Sequence, residues 1–215
     1  MSLAEIIEAQ APVRRFRPYP TYKASGVEWL GEIPAHWEAR GLKTLGDLKA
    51  GTGITSEQIE PQGDYPVLGG NGLRGYTSSY THDGEFPLIG RQGALCGCVT
   101  LATGKFWASE HAIVVKTKPG IDPRWLADLL DAMSLNIYSQ SAAQPGLAVD
   151  TIAAIPAPAL PFEEQRTIAA FLDEETTRLD ALVGQVRGAI TRLQELRTAL
   201  ISGAVTGKID VRGEL

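Results

Sequence analysis

The sequence predicts an α+β fold, in which a mixed α/β domain is followed by a long C-terminal coiled-coil helix. Short apolar segments bounded by glycine and proline fill the first part of the chain, and one helical pattern follows them. After Pro161 the chain contains no proline and is rich in Leu, Ala, Glu, Arg and Thr. We therefore expect a flexible N-terminal arm over residues 1–21, a folded domain over 22–160, a helix over 161–203 and a tail over 204–215.

Four segments of the first part have the composition of strands. Each is a short apolar run flanked by Gly, Pro, Asn or Asp, residues that favour turns. Residues 69–84, with the sequence GGNGLRGYTSSYTHDG, contain five glycines and are predicted to be a loop. Long glycine-rich loops do not fit a repeating β-α-β pattern, which is why the α+β class is preferred. The predicted strands are Tyr65–Leu68, Phe86–Ile89, Gly97–Ala102 and Ala112–Lys116.

One helix is predicted within the first part. Asp122 can accept hydrogen bonds as an N-cap residue, and Pro123 at the first helical position has a fixed φ that suits a helix start. We expect an amphipathic helix that ends near Gln140. Its apolar face is formed by Leu126, Leu129, Leu130, Met133 and Ile137, which recur at helical spacing.

The second part predicts an uninterrupted helix of about 40 residues, which would be about 60 Å long. Pro161 can open it, and Glu163 and Glu164 lie in its first turn, where the helix dipole favours acids. Nothing interrupts the pattern before Ser202 and Gly203. A helix of this length exceeds what one small domain can cover with its own surface, so we expect a partner helix.

An apolar stripe with a seven-residue repeat runs along this predicted helix. One set of positions is Ile168, Glu175, Leu182, Ala189 and Leu196, and the other is Leu172, Leu179, Val186, Leu193 and Leu200. Nine of these ten residues are apolar, a pattern typical of coiled coils. An alternative is that the helix lies on its own domain, because Phe171, Val183 and Ile190 widen the stripe. The predicted dimerisation residues are Ile168, Leu172, Leu179, Leu182, Val186, Leu193, Leu196 and Leu200.

The charge of the chain limits how it could bind nucleic acid. The formal net charge is −5, which argues against binding through overall positive charge. A local basic stretch nevertheless exists, because Phe86 to Lys118 contains four basic residues and the single acid Glu110. Such a stretch is a candidate contact surface, although solvated surface is the simpler interpretation.

Several classes of protein lack their usual patterns here. No run of about 18 uncharged apolar residues predicts a membrane span, and residues 1–10 do not resemble a secretory signal, so we expect a cytoplasmic protein. The two cysteines, Cys96 and Cys98, are too few for a zinc site. The chain contains no phosphate-binding loop or catalytic serine motif, and His111 is interpreted as a packed or surface histidine. The sequence therefore nominates neither a catalytic nor a metal site.

Four strings give the chain a family resemblance. They are YKASGVEWLGEIPAHWEARGLKTLG, IGRQGALCG, IPAPALPFEEQRTIAAFLDEETTRLDALV and LRTALISGAVTGKIDVRGEL. Together they extend from Tyr22 to the C-terminus, and PAPALPFEEQ and AVTGKIDVR are the most specific among them. By these strings the chain resembles the specificity subunits of type I restriction-modification systems.

The resemblance implies a target-recognition domain over 22–160 that reads one half of a bipartite sequence in double-stranded DNA. It also implies that the long helix pairs with a second one and fixes the spacing of two such domains. Members usually carry two domains and two helices, whereas this chain has one of each, which implies either a natural half-length form that acts as a homodimer or a truncated or split gene product. The implied partners are methyltransferase subunits, which bind S-adenosylmethionine, and a restriction subunit that uses ATP. For this chain itself the resemblance implies no cofactor and no catalytic activity.

Residues suited to DNA contact lie in the glycine-rich loops of the first part. Arg and Lys supply positive charge, and Arg, Asn and Gln can read base edges, while the glycines either approach phosphates or simply form turns. Arg91 is the strongest candidate, because it closely follows the Phe86–Ile89 strand and lies in the family-like GRQG segment. The alternative is a protein-interaction module, oligomerised by its coiled coil, that does not bind DNA. The predicted DNA-binding residues are Asn71, Arg74, Tyr76, Arg91, Gln92 and Lys105.

Overall fold

The computed structural model describes residues 17–70, 72–93, 95–139 and 146–212. The chain forms two units, one that ends at Arg166 and one that begins at Thr167. Most of the predicted N-terminal arm lies outside the described residues, and so does Gln140. Within the described part, no helix is long and apolar enough to cross a membrane.

Short strands at the start of the described chain form two small antiparallel sheets. β1 (Tyr22–Ala24) pairs with β2 (Glu32–Pro34). β3 (Glu38–Gly41) pairs with β10 (Pro156–Ala159), which joins two parts of the first unit that are far apart in sequence. The Trp29 side chain supports the second pair, because its Nε1–H donates to the backbone oxygen of Pro156 at 3.1 Å.

A six-stranded sheet forms the centre of the first unit. Its strands are β4 (Gly46–Ala50), β5 (Tyr65–Gly69), β6 (Gly72–Thr77), β7 (His82–Gly90), β8 (Val99–Ala108) and β9 (Ala112–Thr117). They lie in the order β4, β9, β7, β8, β5, β6, and every pairing is antiparallel except that of β5 with β8. All four predicted strands are present, although β8 begins at Val99 and not at Gly97, and the predicted α+β class is confirmed.

The core of the sheet lies where β7 and β9 pair. The last four residues of β7 and the first four of β9 are all buried, a pattern that indicates cover on both faces. Helix α1 (Pro123–Ala132) packs on β7 and β8, and its Leu126 and Leu130 are fully buried. Phe106 of β8 is also fully buried. Burial of each such side chain contributes about 1.5–3 kcal/mol to folding.

The predicted loop over residues 69–84 is wrong in part, because it contains strand β6. Gly69 lies opposite Gly72, so only two residues connect β5 to β6. Gly72 has a φ of 80° and Gly75 a φ of 145°, values that a side chain strongly disfavours. Ile59 also approaches Gly75 so closely that a Cβ there would lie 2.5 Å from its side chain. These glycines belong to a strand, and the polar composition concealed it.

Helix α1 begins as predicted but ends earlier. The Asp122 carboxylate accepts hydrogen bonds from the backbone N–H groups of Arg124 and Trp125, at 2.9 and 3.0 Å. The helix ends at Ala132 instead of near Gln140, because Ser134 adopts a left-handed conformation with a φ of 49°. A 3₁₀ turn over Leu135–Tyr138 follows, in which Leu135 is buried and Ile137 is exposed. Ile137 therefore does not extend the apolar face of α1.

Two further helices complete the fold. α2 (Val149–Ala154) precedes β10, and α3 (Phe162–Val205) is 44 residues long. Gly203 does not end α3 as the sequence predicted, because a glycine inside a helix costs only about 1 kcal/mol. Gly207 forms the stop with a φ of 70°, and the Lys208 N–H donates to the Gly203 oxygen at 2.8 Å. This is the Schellman arrangement, and it accounts for the glycine in AVTGKIDVR.

Gln165 anchors the first turn of α3, and its side chain is fully buried. Its amide oxygen accepts a hydrogen bond from the backbone N–H of Asp122 at 2.8 Å. Its amide nitrogen donates to the backbone oxygens of Leu160 and Gly120, at 2.9 and 3.2 Å. A buried amide is tolerated when its polar atoms are bonded in this way. The glutamine of PAPALPFEEQ therefore has a structural role.

Glu164 ties the same turn to the segment before β1 and to the segment after β2. Its Oε1 accepts a hydrogen bond from the Tyr19 hydroxyl at 2.5 Å, and its Oε2 lies 2.9 Å from His36 Nε2. Burial raises the pKa of Glu164, but hydrogen bonds, led by those from Tyr19 and His36, outweigh burial and lower the pKa overall. Burial and the bond to Glu164 in turn raise the pKa of Tyr19 to about 12.

Candidate nucleic-acid interface

Three segments of the first unit come together near the end of strand β5. They are the β5–β6 connection, the end of β7 and the turn between β8 and β9. The backbone N–H of Arg91 donates to the backbone oxygen of His111 at 2.8 Å, which joins the second segment to the third. A Cβ on Gly70 would lie 2.7 Å from that oxygen and 3.1 Å from Gly90 Cα, so the first segment touches both. Residues 69–70, 72–74, 90–92 and 109–111 are termed the loop cluster below.

Glycine is required in the loop cluster because the backbones approach each other closely. A Cβ on Gly90 would lie 2.5 Å from the backbone oxygens of Gly70 and Leu95, a separation that real Cβ atoms do not adopt. A Cβ on Gly69 would lie 2.7 Å from the Cδ of Arg74, so this glycine leaves room for the arginine stem. The sequence alone left two roles open for the glycines. Gly70 and Gly90 serve close packing of the segments, and Gly69 makes room for a side chain.

A chain of polar side chains crosses the loop cluster. The guanidinium Nη1 of Arg74 lies 3.8 Å from Oε1 of Glu110, which makes an ion pair. The same carboxylate oxygen lies 3.1 Å from Nε2 of His111. On the other side of the imidazole ring, Nδ1 lies 3.1 Å from the amide oxygen of Gln92. Two of the predicted DNA-binding residues, Arg74 and Gln92, are thus linked through an acid and a histidine.

The inner side of the loop cluster holds polar atoms that face the protein. Oε2 of Glu110 is inaccessible to solvent and has no hydrogen-bond partner within the described residues. The neighbouring Ser109 hydroxyl is likewise inaccessible to solvent and has no hydrogen-bond partner within the described residues. Arg74 and Gln92, at the two ends of the polar chain, are exposed. One oxygen of the Glu110 carboxylate therefore faces the protein, while the other contacts Arg74 and His111.

Arg91 is held by its backbone. Its carbonyl oxygen accepts from the Leu147 N–H at 2.9 Å and from the Cys96 thiol at 3.3 Å. Burial raises the pKa of Cys96, so the thiol keeps its proton for this bond. The guanidinium group of Arg91 has no ion-pair partner among the residues that the structure describes. A fixed backbone with an unneutralised charge suits a residue that meets an anionic ligand.

Lys105 and Tyr76 are not part of the loop cluster. Lys105 lies opposite Asp83 in the β7–β8 pair, and its Nζ is 4.8 Å from the centre of the Tyr80 ring. The Tyr80 ring contacts that of Tyr65, at the start of β5, with centroids 5.0 Å apart. Tyr76 is half-buried in β6, and Asn71 lies outside the described residues. The loop cluster thus unites Arg74, Arg91 and Gln92, while Lys105 belongs to a separate aromatic group.

Glu110 and His111 are the members of the site that the sequence did not nominate. His111 was interpreted as a packed or surface histidine, and Glu110 only as the acid of a basic stretch. The available signal was that this acid directly precedes a histidine at the start of a strand, close to two glycine-rich loops. Within the described residues, no group of three or more His, Cys, Asp or Glu side chains could hold a metal ion.

Comparison with known proteins identifies a family. Residues 34–191 match the family model described as the type I restriction modification DNA specificity domain. The chain is 43% identical over 159 residues to the type I restriction enzyme EcoprrI specificity subunit of Escherichia coli. That alignment covers 70% of this chain and 40% of the relative, so the chain spans less than half the length of the relative.

Solved structures show the same fold at low sequence identity. The type I restriction-modification S subunit from M. genitalium superposes with a TM-score of 0.60 at 21% identity, covering 77% of this chain and 46% of that one. A chain from a structure of the type I R-M system, solved for its complex assembly and conformational transition, gives a TM-score of 0.71 at 19% identity. That match covers 90% of this chain and 49% of the other. The sequence match over most of the chain and the shared fold lead to one conclusion: the chain belongs to the type I restriction modification DNA specificity domain family.

Proposed function

We propose that this chain is a DNA specificity subunit of a type I restriction-modification complex and reads one half-site of a bipartite sequence. The observation that carries the proposal is the loop cluster, which gathers Arg74, Arg91 and Gln92 from two segments far apart in sequence. Arginine and glutamine are the side chains that most readily recognise base edges in the major groove. Family membership supports this function over a protein-interaction module without DNA binding.

The proposed contacts fall into two groups. Arg74, Arg91 and Gln92 contact base edges. Asn71, which lies in the sequence between β5 and β6, is proposed to contact them as well. Lys105 and Tyr76 contact the DNA backbone, and the Tyr80 ring orients the Lys105 ammonium group. Backbone contacts fix the position of a protein on DNA, whereas base contacts determine the sequence. This division explains how a chain of net charge −5 binds a polyanion, since only a local surface has to be basic.

The long helix is proposed to join two chains. Along α3 the side chains of Leu179, Leu182, Val186, Leu193, Leu196 and Leu200 are exposed, with 47–65% of their surface accessible. Such a stripe loses contact with water when a second helix covers it, and each buried CH₂ group contributes about 0.8 kcal/mol. A second copy of this chain presents the identical stripe, so we propose a homodimer. Ile168 and Leu172, which are half-buried, complete the predicted dimerisation set.

Catalysis is assigned to partners. We propose that methyltransferase subunits, which bind S-adenosylmethionine, dock on this chain, and that a restriction subunit supplies the ATP-dependent cleavage. The chain itself is proposed to be non-catalytic and to carry no cofactor. Its action on DNA places it in the cytoplasm.

Mapping of methylated DNA tests this function. The chain is expressed in cells with its methyltransferase partner, and methylated positions are determined by sequencing. We expect methylation at one bipartite motif whose two halves are inverted copies, because a symmetric dimer reads a symmetric site. Methylation without a motif, or none that depends on this chain, would refute DNA specificity. An asymmetric motif, with this as the sole specificity chain present, would refute the homodimer alone.

A further inference from the structure

Glu110 occupies an unusual position for an acid. It is the single acidic residue between Phe86 and Lys118, and it lies in the loop cluster beside Arg74. A carboxylate on a DNA-binding surface repels phosphates, so its presence there requires a compensating role. Its Oε2 is inaccessible to solvent, whereas its Oε1 contacts both the Arg74 guanidinium group and the His111 ring. One carboxylate oxygen thus faces the protein. The other contacts the Arg74 guanidinium group and the His111 ring.

We propose that Glu110 is a positioning residue that sets the base preference of the loop cluster without touching DNA. On one side its Oε1 holds the Arg74 guanidinium group at 3.8 Å, and Gly69, which has no side chain, leaves room for the Arg74 stem. An arginine whose guanidinium group is held by an ion pair has fewer rotamers left to lose on binding. The inference rests on the proposed function, because positioning matters only if Arg74 reads a base.

The second branch runs through His111. The imidazole Nε2 lies 3.1 Å from Glu110 Oε1, and Nδ1 lies 3.1 Å from the amide oxygen of Gln92. With its oxygen turned to the ring, the Gln92 amide offers its NH₂ group to a base, and this group matches acceptors such as N7 and O6 of guanine. One carboxylate therefore controls two readers, Arg74 directly and Gln92 through the ring.

Selection from a library of DNA duplexes with a randomised central segment tests the proposal. The chain, assembled with its methyltransferase partner, is compared with the variants Arg74→Ala, Gln92→Ala, Glu110→Gln and His111→Ala. The readout is the base preference at each position of the selected motif. Glu85→Gln is the matched control, because Glu85 also pairs with an arginine, Arg124 at 3.2 Å, and loses the same charge.

The two branches make different predictions. Glu110→Gln should reduce base discrimination about 10-fold or more at the positions that Arg74→Ala and Gln92→Ala affect. His111→Ala should reduce base discrimination only at the motif position that Gln92→Ala affects. Glu85→Gln should select the parent motif. A Glu110→Gln variant that selects the parent motif, even with tighter binding at every sequence, overturns the proposal and leaves Glu110 as a surface charge.

Two further outcomes are distinguished by the same experiment. If the parent selects no motif, the proposed DNA specificity fails, which is a different result from a motif that Glu110→Gln leaves unchanged. If Glu110→Gln does not fold, as judged by its thermal unfolding, His111→Ala decides. Loss of base preference only at the motif position that Gln92→Ala affects then supports the branch through His111. An unchanged motif overturns the proposal.

Discussion

At the level of single residues, the fixed backbone of Arg91 has an energetic consequence. Hydrogen bonds to His111, Leu147 and Cys96 hold its N–H and carbonyl groups. A side chain that extends from a fixed backbone loses less conformational entropy on binding than one on a mobile loop. More of the contact energy therefore remains for affinity, so Arg91 should be a sensitive position in the loop cluster.

We predict that Arg91→Ala weakens specific DNA binding of the assembled complex by about 1–3 kcal/mol if Arg91 reads a base. If it contacts a phosphate, all sequences should be affected alike and the salt slope should fall by about one. Fluorescence anisotropy at several salt concentrations separates the two cases. The control is Arg40→Ala, an exposed arginine paired with Glu38, which should bind like the parent. Parent-like binding of Arg91→Ala at every salt concentration would show that the reading surface lies elsewhere.

The Tyr19–Glu164 hydrogen bond makes stability depend on pH in a predictable direction. The folded pKa of Tyr19, about 12, lies above its ordinary value of 10.0. Stabilisation is therefore complete below pH 10.0 and disappears as pH rises towards about 12. The pKa of Glu164 is lowered from 4.5, so its contribution is present above that pH and lost as pH falls through the lowered value.

Tyr19→Phe tests this dependence because phenylalanine keeps the ring and removes the hydroxyl. We expect the free energy of unfolding at neutral pH to fall by about 1 kcal/mol, since one hydrogen bond is lost. The difference from the parent should shrink as pH approaches 12, the folded pKa of Tyr19. Urea unfolding at a series of pH values measures this difference in the free energy of unfolding. Tyr138→Phe, a half-buried tyrosine elsewhere, serves as control, and an equal pH dependence of both variants would contradict the assignment.

At the level of elements, α3 combines a well-anchored start and a defined stop with an uncovered middle. Gln165 anchors its first turn, and Gly207 ends it with a left-handed residue. Between them the apolar stripe is exposed, for example 58% of Leu179 and 65% of Leu193. Exposed leucines at a seven-residue repeat favour association with another helix over solvation.

We predict that Leu179→Asp with Leu193→Asp dissociates the homodimer, because two charges would be buried in its seam. Light scattering or sedimentation measures the change from dimer to monomer. Thr177→Asp with Thr191→Asp is the matched control, since these exposed residues have the same spacing on the opposite face of the helix. A parent chain that is already monomeric at micromolar concentration would contradict self-association.

At the level of the whole molecule, the proposed homodimer constrains the DNA target. Two identical chains related by a two-fold axis read inverted copies of one half-site. In the proposed dimer the paired helices set the gap between these copies. A change in helix length should therefore alter the gap while leaving the half-sites as they are.

Insertion of seven residues after Val183 is predicted to lengthen α3 by about 10 Å, equivalent to about three base pairs. The apolar stripe stays in register, because the insertion equals one repeat. Methylation mapping should then show the original half-sites with a longer gap. As a control, an insertion of four residues shifts the stripe and should weaken the dimer. A motif with altered half-sites, or with the original gap, would contradict the spacer role of the helix.

The sequence predicted those features that local pattern determines. Four strands, the Asp122 cap and the long helix follow from apolar periodicity and capping chemistry. Strand β6 and the end of α1 were missed, because they depend on residues with positive φ, Gly72, Gly75 and Ser134, which apolar periodicity does not reveal. Arg74, Arg91 and Gln92 were nominated by residue type, but their proximity depends on non-local backbone contacts. For the same reason Glu110 and His111 could not be recognised as their partners.

The loop cluster also bears on how such a domain changes through evolution. Glycines and backbone hydrogen bonds hold its segments together, and the hydrogen bonds of Arg91 to that scaffold come from its main-chain atoms. A substitution at position 91 therefore alters the group offered to DNA while these hydrogen bonds remain. Under the proposed function, point mutations can give a lineage new targets while the domain stays folded throughout. The methylation pattern of the host genome would then diverge between close relatives faster than the fold does.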